Sequence, residues 1–335
     1  MFSIALVMLT FPFLATGSEI QQLPRIGDTA APGTIQDFTI SSDGRLAVIS
    51  GVEGKIIRLD TLTGRKRTLV SRYPYSVYAM AVSPPSGIAA IGTLGEIVLI
   101  SLDDEKHTQL KMRIGADVVV EGLAFSPDGR LLAASSLDLS YITIWNPATG
   151  SEVDRLVPCE GGSKSVVFSP DGRDLAASCG DNSVKIWNLD TSHEISDISI
   201  GSGAWVNRIE FSKDGRWVFA ATGGTNTIEM FDAGSGARVL ALKGHTQQVD
   251  SIALRTDGVL VSTSDDGTVR LWNADTGTPI RTLEIPDGLI AGDGSVVLAQ
   301  VEEPGVLQLW NARTGEKIRT FHVWADSKHD RTARH

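Results

Sequence analysis

A short motif returns along this chain at a nearly constant interval. SSDG begins at Ser41, SPPSG at Ser83, SPDG at Ser126 and again at Ser169, SKDG at Ser212 and RTDG at Arg255. A second landmark, an apolar residue followed by a small polar one, keeps the same rhythm at Leu59-Asp60, Ile100-Ser101, Trp145-Asn146, Trp187-Asn188, Phe231-Asp232, Trp272-Asn273 and Trp310-Asn311. Its members are 41, 45, 42, 44, 41 and 38 residues apart. Two landmarks in step at this period mark a chain assembled from repeated supersecondary units, here seven, between about Ile35 and Val323. A unit of that size cannot hide its own apolar faces, so its neighbours must cover them.

The clearest unit runs GHTQQVDSIALRTDGVLVSTSDDGTVRLWN, from Gly244 to Asn273. Its apolar and β-branched runs are divided by Thr256-Asp257-Gly258 and by Asp265-Asp266-Gly267. Asp-Gly between such runs predicts a hairpin, because Gly takes the positive φ that a tight turn demands. A fourth run, Pro279 to Ile285, follows Asp275-Thr276-Gly277, so each unit reads as four antiparallel strands.

Gly244-His245 at one end and Trp272-Asn273 at the other, around a DG turn and an SDDGTVRLW strand, resemble one WD repeat with Asn in place of the usual Asp. The resemblance implies an all-β fold, a seven-bladed β-propeller of four-stranded antiparallel blades, over residues 35–323. It also implies a hydrogen-bond chain from Trp272 through Ser262 and His245 to Asp266. The residue types suit one, since an indole only donates, a hydroxyl and a neutral imidazole do both, and an ionised carboxylate only accepts. A hydrolase triad of the same Ser, His and Asp is the competing reading, disfavoured because that Ser would lie beneath a Trp. In the fourth repeat Cys159 stands where His245 sits in the sixth, and Cys179 lies two residues before Asp181. Carried over from the complete blade, these positions fall on neighbouring loops, and a disulfide between the only two cysteines is expected; two buried reduced thiols are the alternative.

The same alignment places Gln36, Tyr78, Glu121, Lys164, Asn207 and Asp250 at one equivalent spot, early in each first strand, around the mouth of the channel. Their chemistry differs from blade to blade, as partner recognition on a rigid frame requires. Tyr75 in the Tyr73-Pro74-Tyr75 loop, Trp205 and Gln248 join them as candidate partner-binding residues, Tyr and Trp being enriched where partners anchor. The expected function is therefore a non-catalytic platform for a protein or peptide. An exported propeller enzyme, or a small-ligand or metal binder at the channel mouth, is the alternative.

The formal net charge of -10 argues against nucleic acid as the main partner. No HExxH, paired-Cys spacing, phosphate-binding Gly-rich loop or GxSxG elbow occurs, so no catalytic residue, metal site or cofactor is expected. Residues 1–17, MFSIALVMLTFPFLATG, are uncharged and apolar, too short to span a membrane, and resemble a secretory signal peptide. Export to the periplasm or the extracellular space is the expectation if that segment is cleaved, and a cytoplasmic location otherwise. Within residues 18–34, Ile20 to Gly27 resembles the outer strand Thr108 to Gly115 and is expected to close the ring against the last blade, although Glu316 to Val323 could complete that blade unaided. Residues 324–335 are expected to form a loose polar tail.

Overall fold

The computed structural model describes residues 34–102, 109–157, 159–255, 257–285, 288–301 and 303–324. These form seven four-stranded antiparallel sheets, each made of consecutive strands. The sheets are the blades of a propeller: blade 1 spans 35–70, blade 2 79–113, blade 3 122–156, blade 4 166–199, blade 5 205–243, blade 6 249–284 and blade 7 288–322.

The recurring Ser-Pro-Asp-Gly motif is the turn between the first and second strands. In blade 3, Ser126 Oγ donates to Asp128 Oδ1 at 2.7 Å and accepts from the Leu131 amide at 2.9 Å, while the Arg130 amide donates to the same carboxylate oxygen at 3.0 Å. Gly129 supplies the left-handed residue of this turn, at φ 72°. The Ser-Asp pairs 41/43, 169/171 and 212/214 repeat the arrangement, which explains why the motif recurs. The Ser hydroxyl first, and then the amide of Arg130, Arg173 or Arg216, hold Asp128, Asp171 and Asp214 below the ordinary carboxylate range.

Alternating side chains along each strand cover the two neighbouring blades, and the buried residues fall into seven clusters, one per blade interface. The interface between blades 7 and 1 is built like the others: Ala47, Ile49 and Leu59 of blade 1 pack with Leu298, Leu307, Leu309 and Phe321 of blade 7. Among the described residues the ring is thus closed by a packed seam between two four-stranded blades.

At that seam the last described residue departs from expectation. Trp324 joins the cluster, and a Cβ placed on Gly51 would lie 2.7 Å from its ring. Lys55 Nζ stands 5.8 Å from the ring centroid. Trp324 is thus a component of the seam rather than the start of a loose tail, because the missing side chain at Gly51 leaves a slot of indole size. The outer strand of blade 7 is Lys317–His322. The leader-like residues 1–17, the strand expected within 18–34 (apart from Thr34) and residues 325–335 lie outside the described residues.

Candidate functional site

Blade 6 carries a continuous polar chain inside an apolar interface. Trp272 Nε1 donates to Ser262 Oγ at 2.9 Å, Ser262 lies 2.8 Å from His245 Nε2, and His245 Nδ1 lies 2.9 Å from Asp266 Oδ2. The indole can only donate and the carboxylate can only accept, so a neutral imidazole orders the protons: the Ser hydroxyl donates to Nε2, and Nδ1 carries the proton given to Asp266. Burial lowers the His245 pKa, and Arg270 reinforces that shift against the pull of Asp266. Burial would raise Asp266, but donors from Thr268, His245 and the Thr246 amide hold it down at about 2. Ser262 and Trp272 are both fully buried, so this Ser-His-Asp set presents no nucleophile to a substrate.

Other blades replace this chain in different ways. In blade 3, Trp145 Nε1 donates to Thr143 Oγ1 at 2.9 Å. Blade 4 has Ala177 at the position of Ser262, and Trp187 Nε1 is buried without a hydrogen-bond partner among the described residues. The same blade joins Cys159 to Cys179 by a disulfide, with their Cα atoms 5.2 Å apart. The loops it links pack glycine on glycine, since a Cβ on Gly180 would meet the Gly161 carbonyl at 2.3 Å. The bond therefore sits where the polar chain of blade 6 begins.

Three of the six channel-mouth residues share a backbone device. In blades 1, 5 and 6 the register of the first strand slips by one residue, and the extra residues are Gln36, Asn207 and Asp250. Such a bulge turns a side chain out of the pleat. Tyr78, Glu121 and Lys164 occupy the equivalent place just before the first strands of blades 2, 3 and 4. Their surroundings differ. Tyr78 and Lys164 are exposed, as are Tyr75 and Trp205, and Trp205 is still 47% exposed although its ring lies against Gly223 of its own blade. Gln36, Asn207 and Asp250 are half-buried, and Asn207 Nδ2 crosses to the Val249 carbonyl of blade 6 at 2.9 Å. Gln248 donates to Asp265 at 2.7 Å. Burial raises the Glu121 pKa, with Lys164 acting against the shift and Asp138 adding to it. Tyr73, the remaining aromatic of the Tyr-Pro-Tyr loop, is buried, and its hydroxyl donates to Glu96 at 2.8 Å.

Three features of this region escape the sequence pattern. Leu137, 43% exposed in a loop of blade 3, adds an apolar group to the same face. Asp37 and Glu210, on the innermost strands of blades 1 and 5, are each raised to about 7 by burial. The Phe38 amide works against that shift at Asp37, and Arg208 and Lys213 work against it at Glu210. A Leu beside an Asp in a loop could have flagged the first. The two acids have no signal in a single sequence, because their burial depends on ring closure.

Among the described residues no three His, Cys, Asp or Glu side chains converge as a metal site would need, and no helix is long and apolar enough to cross a membrane. Blades of this build, with the Trp-Ser-His-Asp chain inside one of them, are similar to those of WD-repeat propellers, and three stretches of the chain match that repeat. The family model described as WD domain, G-beta repeat, matches residues 109–146, 157–188 and 236–273. The first and third matches run from the outer strand of one blade through the first three strands of the next, whereas 157–188 begins just after the outer strand of blade 3 and takes in the first three strands of blade 4.

Relatives agree with that class. WD repeat-containing protein 1 of Gallus gallus is 28% identical over 166 residues, which cover 47% of this chain and 27% of that protein. A guanine nucleotide-binding protein subunit beta of Schizosaccharomyces pombe is 33% identical over 95 residues, covering 28% of this chain and 30% of its own. The matched stretch is thus under a third of either relative. The crystal structure of the computationally designed Ika8 protein superposes with a TM-score of 0.68 at 21% identity, covering 87% of this chain and 88% of that one, a likeness of fold alone.

Proposed function

We propose that this propeller is a non-catalytic platform that holds a protein or peptide segment on the loop-rich face around its channel. WD propellers generally act as protein-interaction scaffolds. The observation that carries the reading here is the unequal set of side chains that one repeated backbone position presents: Gln36, Tyr78, Glu121, Lys164, Asn207 and Asp250. The frame repeats while the chemistry at this position does not, which is the form of a recognition surface. Exposed Tyr75, Tyr78, Leu137 and Trp205 supply anchors on the same face. The disulfide supports an oxidising compartment as the place of action, the periplasm or the cell exterior.

Affinity capture from the native compartment tests the platform. A partner held by the wild-type protein is expected to be lost on Tyr78→Ala with Trp205→Ala and kept by Ile195→Ala on the outer strand of blade 4. Capture that ignores the first pair and follows Ile195 would move the site to the perimeter, and turnover of a small molecule at the channel mouth would replace the platform with an enzyme.

A further inference from the structure

A cleft of about 390 Å3 opens at the outer part of blade 5. It is lined by Thr225, Asn226 and Thr227 where the third strand begins, by Glu229 and Arg238 further along the outer hairpin, and by Lys243 where the chain leaves for blade 6. Its size is that of small-molecule sites, roughly 300–1,000 Å3.

Blade 5 lacks the indole-to-carboxylate chain, with Phe231 in the place of Trp272 and Ala220 in the place of Ser262. A cluster of hydroxyls stands there instead. Thr222 Oγ1 lies 2.7 Å from Thr225 Oγ1, and Thr225 Oγ1 lies 3.1 Å from Thr227 Oγ1. Thr227 donates to one oxygen of the buried Glu229 at 2.9 Å, and Arg238 Nε donates to the other. Both carboxylate oxygens are thus occupied from within.

The groups left open to the cleft are mainly cationic donors. The terminal nitrogens of Arg238 make no hydrogen bond, and Lys243 has no carboxylate within ion-pair distance, among the described residues. Arg270 is not part of the lining but stands behind it: its Nη1 would lie 2.6 Å from a Cβ placed on Gly244, and its Nε is buried without a partner among the described residues. Asp266, on the blade 6 side, is already engaged by His245, Thr246 and Thr268. A chain of net charge -10 therefore carries a locally positive hollow here. Asn226, held at φ 57°, spends its amide nitrogen on the Thr246 carbonyl at 3.1 Å, so its oxygen remains as an acceptor. Donors of positive charge beside one neutral acceptor match a ligand that is anionic at one end and hydroxylated at the other.

We propose that this cleft binds a small hydroxylated organic anion of the size of a sugar phosphate or sugar acid. The anionic group lies on Lys243 with help from Arg238, and a ligand hydroxyl donates to Asn226 Oδ1. The cleft lies toward the outer edge of blade 5, away from the first strands that line the channel, and the proposal does not depend on the platform reading.

The test titrates the full chain with glucose 6-phosphate and with glucuronate, followed by calorimetry and by amide chemical shifts, with glucose and inorganic phosphate as comparisons. At least one of the two sugar anions is expected to bind saturably at one site, shifting the Asn226 and Gly244 amides, and which one binds tells phosphate from carboxylate. Glucose is expected not to bind, and inorganic phosphate to bind at least tenfold more weakly. Lys243→Gln, at an exposed position, should weaken binding at least tenfold with an unchanged melting midpoint. Asn226→Gly, which keeps the left-handed backbone, should abolish the preference over inorganic phosphate. Absence of saturable binding by either sugar anion, shifts confined to other blades, or affinity indifferent to Lys243→Gln would overturn the proposal.

Discussion

Asn273 stands where the repeat usually has Asp, and its surroundings explain why the exchange is tolerated. Its Oδ1 accepts from the amides of Asp275 and Thr276 at 3.0 and 2.9 Å, a task an amide oxygen performs as well as a carboxylate. Asn146 and Asn311 do the same in their blades, and Asp60 and Asp232 do so with carboxylates. The polar chain of blade 6 is less forgiving. Ser262→Ala would leave Trp272 Nε1 and His245 Nε2 buried without partners, at a cost of about 1–3 kcal/mol for each group left unsatisfied. The reverse change is available in blade 4: Ala177→Ser would offer Trp187 an acceptor and is expected to stabilise by about 0.5–1.5 kcal/mol. Urea midpoints of the two variants against wild type check both signs. The same chain sets a pH dependence. Burial lowers the His245 pKa in the folded protein, so the unfolded chain takes up the proton first and stability declines as pH falls below about 6.5. Asp266, lowered from 3.8 to about 2, contributes stability above the higher value and loses it as pH falls toward the lower, on the order of 2 kcal/mol in all. Asp37 and Glu210, both raised to about 7, act in the opposite sense, and Asp128, Asp171 and Asp214 share the acid window. The contribution of the polar chain is therefore the difference between wild type and Asp266→Asn, whose urea midpoint should fall less than that of wild type as pH drops below about 4.

At the scale of elements, the pairing of third and fourth strands shows how this fold treats its outer edges. In blades 3 to 7 that pairing slips by one residue, and the extra residues, Val153, Ile195, Val239, Ile280 and Ile318, are all β-branched and exposed. A bulge kinks an edge strand and spoils its use as a template for another chain. Blade 4 is held at its opposite end by the disulfide. Closing a loop across a sequence separation of 20 should contribute about 3 kcal/mol. Reduction under otherwise native conditions is expected to lower the urea midpoint accordingly, while Cys159→Ala with Cys179→Ala should unfold at the same midpoint with and without reductant. What the sequence makes legible follows from how local each interaction is. The Ser-Asp-Gly turns involve bonds spanning at most five residues, so their spacing carries blade number and strand order. The residues of the polar chain and the cysteine pair lie about twenty residues apart within one repeat unit, so alignment to a complete repeat is enough to place them side by side. Exposure at the channel mouth is not local. Asn207 spends its amide on the next blade and Tyr73 is buried between blades 1 and 2, whereas Tyr75, two residues on, stays in solvent.

For the whole molecule the decisive interface is the one that joins the two ends of the described chain. Every other pair of blades is tethered by a connecting loop, whereas among the described residues blades 7 and 1 meet through side chains and a few backbone bonds, among them Asp293 N to the Ser42 carbonyl at 2.8 Å. Phe321, Val323 and Trp324 bring the C-terminal stretch into that seam, and Gly51 receives the indole. A β-carbon at residue 51 would have to displace the ring from 2.7 Å, so Gly51→Ala is expected to destabilise by about 1–3 kcal/mol through overpacking. Trp324→Ala removes the same contact from the other side and should also destabilise, by about 3 kcal/mol or more if the cavity stays open. The two effects cannot add, because once the indole is gone the new methyl has nothing to strike. Gly51→Ala should then be close to neutral in the Trp324→Ala background, a coupling of at least about 0.5 kcal/mol in a double-mutant cycle. Hydrogen exchange locates the consequence: protection should fall first in the blade 1 strand Leu46–Gly51 and the blade 7 strand Lys317–His322, with blades 3 to 5 unchanged. Additive penalties, or exchange that rises evenly around the ring, would mean that the tryptophan merely rests on a seam already closed without it.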